Sequence, residues 1–229
     1  MPPYGGCLHY DRKCRMDIRT KEAVRYLGYG KTAVDEKTLL MIQESFEELE
    51  RIGEPKSVYR IFELLRPDEQ ELQICNLRIK SKSLQKNLKS CEQVVLFGAT
   101  IGTAVDRQIR TYEITDMARA VVMQACAAAV LEEYCDSVQE QISQELAEEK
   151  LYLRPRFSPG YGDFSILHQK EILNMLEAPK KIGLAMTEGY MLTPTKSVTA
   201  LIGISRTKEP CHRKGCEECT KADCVYRRS

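Results

Sequence analysis

One long amphipathic segment constrains this fold more than any other part of the sequence. From Thr115 to about Glu148, apolar side chains recur at helical spacing, which predicts a helix with one buried face. A drift in the phase of this pattern predicts a break near Tyr134. Ala125–Ala129 is a run of very small side chains, so another backbone can approach the helix closely. The predicted buried positions are Met117, Val121, Ala125, Ala129, Val138, Ile142 and Leu146.

Segments that alternate, or that form short apolar runs, predict strands on either side of this helix. Ser57–Leu64 and Leu72–Ile79 are rich in β-branched or aromatic residues, and the turn residues between them predict a hairpin. Val94–Phe97 is continuously apolar, the pattern of a strand buried on both faces. Gly183–Thr187 and Ser197–Ser205 predict two more strands. We therefore predict an α+β domain: a twisted, mainly antiparallel sheet flanked by helices, with a cysteine-rich C-terminal tail.

The composition excludes several classes of function. The net charge is +1, so no strong field recruits nucleic acid or an anionic membrane. No stretch approaches the ~20 apolar residues that a membrane span requires. Residues 1–16 are rich in glycine, proline and charge, which predicts a flexible lead that is neither a signal peptide nor an anchor. A cytoplasmic location is the resulting expectation.

A loop rich in proline and glycine is the first segment that could carry chemistry. It is Arg154–Asp163, here called the Pro-Gly loop, and its two prolines and two glycines restrict its shape. Arg156 can pair bidentately with a carboxylate, and Tyr161 offers a π face to a cation or an adenine. The alternative interpretation is a structural turn with a solvent-exposed arginine.

The stretch Arg156-Phe-Ser-Pro-Gly-Tyr161 resembles the Arg-Pro-Ala-Pro-Gly-Tyr loop in the reactivation domain of cobalamin-dependent methionine synthase. The resemblance extends over about residues 17–229. This chain has Ser158 where the full-length enzymes have alanine, and Gly162 where they have proline. The family's tyrosine pair beyond the last strand is absent from it. Weaker matches flank the loop at Thr100–Arg107, Thr115–Arg119, Glu132–Tyr134, Thr187–Met191, Pro194 and Ser197–Val198.

The resemblance implies a ligand, a partner and a set of binding residues. The ligand is S-adenosylmethionine, which in that family lies on this loop. Carried over, Arg156 would meet the carboxylate or ribose, the backbone of Ser158 would bond adenosine, and Gly160 and Tyr161 would complete the pocket. The sequence has no Asp-x-His-x-x-Gly corrinoid-binding motif, so cobalamin would arrive on a partner protein.

Four cysteines near the end of the chain form a second candidate site. Cys211, Cys216, Cys219 and Cys224 could surround one tetrahedral metal ion, and the central Cys-x-x-Cys has the spacing of a metal knuckle. An iron–sulfur cluster fits four cysteines equally well. Reversible disulfides, or no specific role, are the remaining interpretations. Four other cysteines, Cys75, Cys91, Cys126 and Cys135, lie in apolar or helical segments and are predicted to be core thiols.

These observations lead to one organisation and two functional hypotheses. We expect a flexible lead at 1–16, an activation-like domain at 17–209 and a four-cysteine tail at 210–229. In the first hypothesis the chain is a stand-alone activation subunit of methionine synthase, with little activity alone. It presents S-adenosylmethionine for reductive remethylation of a partner's corrinoid and needs an electron donor. In the second, it is a redox module that binds the corrinoid protein through a metal or cluster in the tail, without S-adenosylmethionine.

Overall fold

The computed structural model describes residues 18–29 and 34–207. The predicted lead and the four-cysteine tail therefore lie outside the described residues. The helices are α1 (18–26), α2 (Glu36–Ile52), α3 (Lys82–Asn87), α4 (Thr103–Thr115), α5 (Met117–Ala147), α6 (Gln169–Leu176) and α7 (Ala178–Ile182). The strands are β1 (Lys56–Glu63), β2 (Leu65–Asp68), β3 (Glu71–Ile74), β4 (Leu77–Ile79), β5 (Cys91–Thr100), β6 (Tyr152–Leu153), β7 (Ala185–Met186), β8 (Leu192–Thr193) and β9 (Ser197–Ser205).

An antiparallel sheet in the order β1-β5-β9-β6 forms the centre of the molecule. Phe97 of β5 lies opposite Tyr59 of β1 on one side and opposite Ala200 of β9 on the other. A smaller antiparallel sheet has the order β2-β3-β4, and β7 pairs with β8. Helices pack on both faces of the central sheet, so the predicted α+β class with antiparallel strands is confirmed.

The central strand β5 is buried on both faces, as its apolar run predicts. Val95 and Phe97 belong to a core shared with α2, α4 and α5. Val94 and Leu96 belong to a second core, which is shared with α3, α6, α7 and the small sheet. All four side chains are fully buried, and each such burial contributes roughly 1.5–3 kcal/mol.

Helix α5 runs without interruption from Met117 to Ala147, so the predicted break near Tyr134 is wrong. Its small residues do allow a close approach, since the Cys126 Sγ lies 3.8 Å from the carbonyl oxygen of Ile42 on α2. Met117 and Val121 were expected to be buried but are 60% and 51% exposed. The buried stripe at this end of α5 passes instead through its neighbours Ala120 and Met123.

The predicted hairpin between Ser57–Leu64 and Leu72–Ile79 is also wrong. Strand β1 pairs with β5, about thirty residues further along the chain, and not with the following segment. A turn at Cys75, whose φ is 51°, divides Leu72–Ile79 into β3 and β4 of the small sheet. Gly183–Thr187 is shorter than predicted, because Gly183 ends α7 in the left-handed region and only β7 is extended.

None of the described helices is long and apolar enough to cross a membrane.

Candidate functional site

The first half of the Pro-Gly loop extends the edge of the central sheet. The backbone N–H of Arg154 donates to the Gly203 carbonyl at 2.8 Å. Phe157 and Leu201 then exchange two backbone hydrogen bonds of 2.9 Å. These bonds continue the pairing of β6 with β9, so this part of the loop has a strand-like position even though it lies beyond the end of β6.

Arg156 turns onto the surface of α5 and is held there by three side chains. Its Nη2 lies 2.8 Å from the Asp136 Oδ1 and 3.0 Å from the Glu132 Oε2, and its Nη1 donates to the Gln139 Oε1 at 3.0 Å. The three partners are spaced i, i+4 and i+7 and therefore share one helix face. Burial acts to lower the pKa of Arg156, but the bond and the charge of Asp136 outweigh it and raise the pKa. The guanidinium is therefore a fixed positive charge.

These contacts correct one interpretation of the charged side chains in this region. A solvent-exposed arginine is ruled out at position 156, because the Arg156 side chain is only 16% exposed. On the same helix face Glu132 pairs with Arg156, and the next residue, Glu133, pairs with Arg19 of α1. Sequence reasoning missed Asp136 entirely, although its spacing from Glu132 was a readable signal.

The second half of the loop folds into a tight turn. The N–H of Tyr161 donates to the Ser158 carbonyl at 3.2 Å, and the N–H of Phe164 donates to the Tyr161 carbonyl at 3.0 Å. The N–H of Gly160, whose φ is +92°, donates to the Phe164 carbonyl at 2.7 Å. Phe164 is 1% exposed, so a buried ring lies beneath the turn.

The crest of this turn is exposed and carries an aromatic ring. Tyr161 is 67% exposed. Ile166, which is 38% exposed, lies next to Gly160, since a Cβ built on that glycine would be 3.5 Å from the Ile166 Cδ1. An accessible aromatic ring can stack on an adenine or on a cationic group.

Asp163 attaches the end of the loop to α3. Its carboxylate accepts the Ser81 hydroxyl at 2.6 Å, the Lys82 N–H at 2.7 Å and the Ser83 N–H at 3.0 Å. The bond from Ser81, followed by those from the two amides, lowers the pKa of Asp163 well below its ordinary value. Between this anchor and Tyr161 stands Gly162, whose φ of +55° excludes the proline of the full-length enzymes from this conformation.

The structure thus gives the four predicted binding residues different environments. Arg156 is paired with α5, while Tyr161 is exposed on the turn that also contains Ser158 and Gly160. Two clefts of about 450 and 300 Å³ lie elsewhere, one at the ends of β1, β5 and β9 and the other between α2 and α5. The loop consequently presents an open surface to a ligand and does not line either of these clefts.

Residues 53–209 match the family model described as the activation domain of vitamin B12-dependent methionine synthase. This stretch is well over half of the chain. The chain belongs to this family. No curated protein compared with it is a significant match.

The fold of this activation domain is similar to a crystal structure of the MetH reactivation domain bound to AdoHcy (S-adenosylhomocysteine), with a TM-score of 0.58. The two sequences are 16% identical, and the match covers 83% of this chain and 76% of the other. At this level of identity the likeness establishes the fold. The ligand named for that structure belongs to that protein.

The cysteines of the activation domain are mostly core thiols, as predicted. Cys91, Cys126 and Cys135 are buried, and burial raises the pKa of both Cys126 and Cys135 to about 12. These two thiols stay protonated at neutral pH and are unreactive. Cys75 is the exception, because it is exposed in the turn between β3 and β4.

No group of three or more potential metal ligands occurs within residues 18–29 and 34–207. The four predicted metal-binding residues, Cys211, Cys216, Cys219 and Cys224, lie outside the described residues. Their assignment stays a prediction.

Proposed function

We propose that this activation domain binds S-adenosylmethionine at the Pro-Gly loop and presents its methyl group to the corrinoid of a partner protein. The observation that carries the proposal is the exposed Tyr161 on a turn anchored at both ends, in a chain of the methionine synthase activation family. A ligand site benefits from such pre-organisation, because less conformational entropy is lost on binding.

The residues of the loop fit the chemical groups of this ligand. Arg156 has five N–H donors, and its three described bonds use only the two terminal nitrogens, so donors remain for a carboxylate. The ring of Tyr161 is accessible to adenine or to the sulfonium. Gly160 has no side chain to obstruct a ligand, and the backbone of Ser158 supplies hydrogen-bonding groups for adenosine.

The chemistry is supplied by the ligands, and the domain contributes position. One electron from a donor converts the partner's cob(II)alamin to cob(I)alamin. The methyl group then passes from the sulfonium to cobalt, which leaves S-adenosylhomocysteine. No side chain needs to act as a general acid or base, so the domain accelerates the reaction by orienting the two reactants and excluding water.

We further propose a setting for this chemistry. The domain acts in the cytoplasm as a separate subunit, and its partner carries the corrinoid on a methionine synthase subunit or domain. An electron donor completes the system. With no corrinoid present, the domain has little activity of its own.

Calorimetric titration with S-adenosylmethionine tests the proposal. We expect saturable binding below about 1 mM and at least tenfold weaker binding by Arg156→Ala. Arg119→Ala is the control, because Arg119 is also a partly buried arginine paired with a glutamate, Glu44, and it lies on α5 thirteen residues before Glu132. Absence of binding at millimolar ligand, or equal binding by wild type and Arg156→Ala, contradicts the proposal.

One observation favours the second candidate function, a redox module that binds the corrinoid protein without S-adenosylmethionine. The guanidinium of Arg156 is already bonded to Glu132, Asp136 and Gln139, which compete with a ligand carboxylate.

In this alternative the cysteines of 210–229 hold zinc or an iron–sulfur cluster. An absorption spectrum of anaerobically prepared protein separates the two metals. A broad visible band that is lost in Cys216→Ser indicates a cluster, whereas a colourless protein containing zinc excludes one.

A further inference from the structure

We infer that Asp163 is a positioning residue, which holds the Tyr161 end of the Pro-Gly loop in its ligand-binding shape by clamping it to the start of α3. This inference rests on the proposed function, in that the shape it preserves is the one that receives S-adenosylmethionine. Asp163 lies outside the Arg156–Tyr161 motif, so resemblance to the family motif does not identify it.

The bonds of Asp163 to Ser81, Lys82 and Ser83, here called the clamp, connect segments that are about eighty residues apart in sequence. Both carboxylate oxygens of Asp163 are used: one accepts the Ser81 hydroxyl and the Ser83 N–H, and the other accepts the Lys82 N–H. Bonds in which the acceptor is ionised are roughly twice as strong as neutral ones. The carboxylate is exposed enough to require no burial of charge, so the bonds are formed without a large desolvation cost.

The start of α3, to which Asp163 is bonded, is held rigidly. Ser81 is 3% exposed, and its hydroxyl oxygen also accepts the N–H of Leu84, which caps α3. Leu84 and Leu88, which follow on and just beyond this helix, are fully buried in the second core. Asp163 therefore attaches the loop to a point that is itself fixed by packing.

On the loop side of these bonds, Asp163 lies close enough to Tyr161 in the chain to restrict its position. Only Gly162 separates Tyr161 from Asp163, and it approaches α3 so closely that a Cβ built on it would lie 2.7 Å from the Ser83 Oγ. Tyr161 is also held by two backbone bonds, one from its N–H to the Ser158 carbonyl and one from the Phe164 N–H to its own carbonyl. Release of Asp163 would consequently allow the exposed ring of Tyr161 to sample other positions.

Two roles for Asp163, a purely structural cap of α3 and a positioning residue for the loop, lead to different expected outcomes. If Asp163 only stabilised α3, its loss would lower the melting temperature and leave ligand affinity unchanged. If it positions the loop, affinity falls even in protein that is fully folded at the temperature of the assay. The decisive measurement is therefore the Kd for S-adenosylmethionine at a temperature well below the melting transition.

We expect Asp163→Asn to weaken binding about tenfold, the factor that corresponds to one lost charged hydrogen bond. Asp35→Asn is the matched control. Asp35 caps α2 with the same chemistry, accepting the Thr38 N–H at 2.9 Å and the Thr38 hydroxyl at 2.7 Å, and it lies outside the loop. Its substitution should leave the Kd unchanged. If Asp163→Asn does not fold, Ser81→Ala replaces it in the test. It removes one of the three bonds and also the cap on the Leu84 N–H, so its Kd is likewise measured well below its melting transition.

A second readout does not require the ligand. The chain contains no tryptophan, so Tyr161→Trp introduces a single indole at the crest of the loop. In that background Asp163→Asn should lower the fluorescence anisotropy, because the ring moves more freely on the nanosecond timescale. Asp35→Asn should leave the anisotropy unchanged.

The two readouts separate failure of this inference from failure of the proposed function. If wild type does not bind S-adenosylmethionine, the proposed function fails and the anisotropy alone decides whether Asp163 holds the loop. If wild type binds, an unchanged Kd in Asp163→Asn overturns the positioning role. Unchanged anisotropy also overturns it, and a lowered melting temperature alone indicates a structural cap.

Discussion

The two ends of the Pro-Gly loop are attached to the protein in opposite ways. At one end, the side chain that should meet the ligand is itself the attachment, because Arg156 is bonded to Glu132, Asp136 and Gln139 of α5. At the other end the attachment is made by Asp163, which lies two residues after Tyr161. Tyr161 itself is 67% exposed.

This difference separates two ways of preparing a binding residue. A side chain that is held by its own charged partners is well oriented, but a ligand must share or replace those partners. A side chain whose neighbour is held keeps its own surface available. We therefore expect changes at the Arg156 end to alter competition for the guanidinium, and changes at the Tyr161 end to alter the order of the turn.

The largest effect should come from the buried ring beneath the Tyr161 end. Phe164→Ala removes a side chain that is 1% exposed, so we expect the free energy of unfolding to fall by about 3–5 kcal/mol. Phe157, at the Arg156 end, is only partly buried, and Phe157→Ala should cost less. Urea unfolding of both variants measures the difference. Equal losses would show that the two ends depend on packing to the same extent.

Arg156→Ala should have the next largest effect, on affinity and not on stability. We expect at least tenfold weaker binding of S-adenosylmethionine, together with a stability change below about 1 kcal/mol. The stability change is small because the Glu132 and Asp136 side chains are 44% and 60% exposed and are solvated when the arginine is removed. A loss of several kcal/mol in thermal or urea unfolding would mean that Arg156 acts mainly as a structural ion pair.

Asp136→Asn should have a smaller effect of opposite sign. The substitution removes one negative charge that competes with the ligand carboxylate for the guanidinium, so we expect about threefold tighter binding. Titration calorimetry beside Asp35→Asn measures it. Weaker binding would indicate that Asp136 orients Arg156 for the ligand, and the contrast between the two ends of the loop would then disappear.

The smallest effect concerns the pH dependence of the Tyr161 end. The folded-state pKa of Asp163 is lowered from the ordinary value of 3.8, chiefly by the Ser81 hydroxyl, so its stabilising contribution is fully present above that value. The contribution is lost as the pH falls through the lowered pKa. The difference in urea midpoint between wild type and Asp163→Asn should accordingly be constant near neutral pH and shrink in acid. A difference that grows in acid has the wrong sign for this contact.

Local patterns predicted much of the fold because their causes are local. The apolar run at Val94–Phe97 indicated a strand buried on both faces, and small side chains at Ala125–Ala129 indicated a close approach to α5. Both are confirmed. The partner of β1 was predicted wrongly, because an alternating strand specifies which face is buried and not which strand lies beside it. The break predicted near Tyr134 failed because buried side chains from both halves of α5, from Val122 to Leu146, pack into one core and hold the helix straight.

The candidate site divides in the same way. The sequence by itself determined that a proline- and glycine-rich turn would present Tyr161, since those residues restrict the backbone wherever they occur. Only the tertiary structure decided that Arg156 pairs with side chains of α5 and that Asp163 bonds to the start of α3. Both contacts join separate segments of the chain. The charge of a side chain and its position in the sequence indicate what it can bind. The packing of the two cores around the central sheet determines which partners come within reach of it.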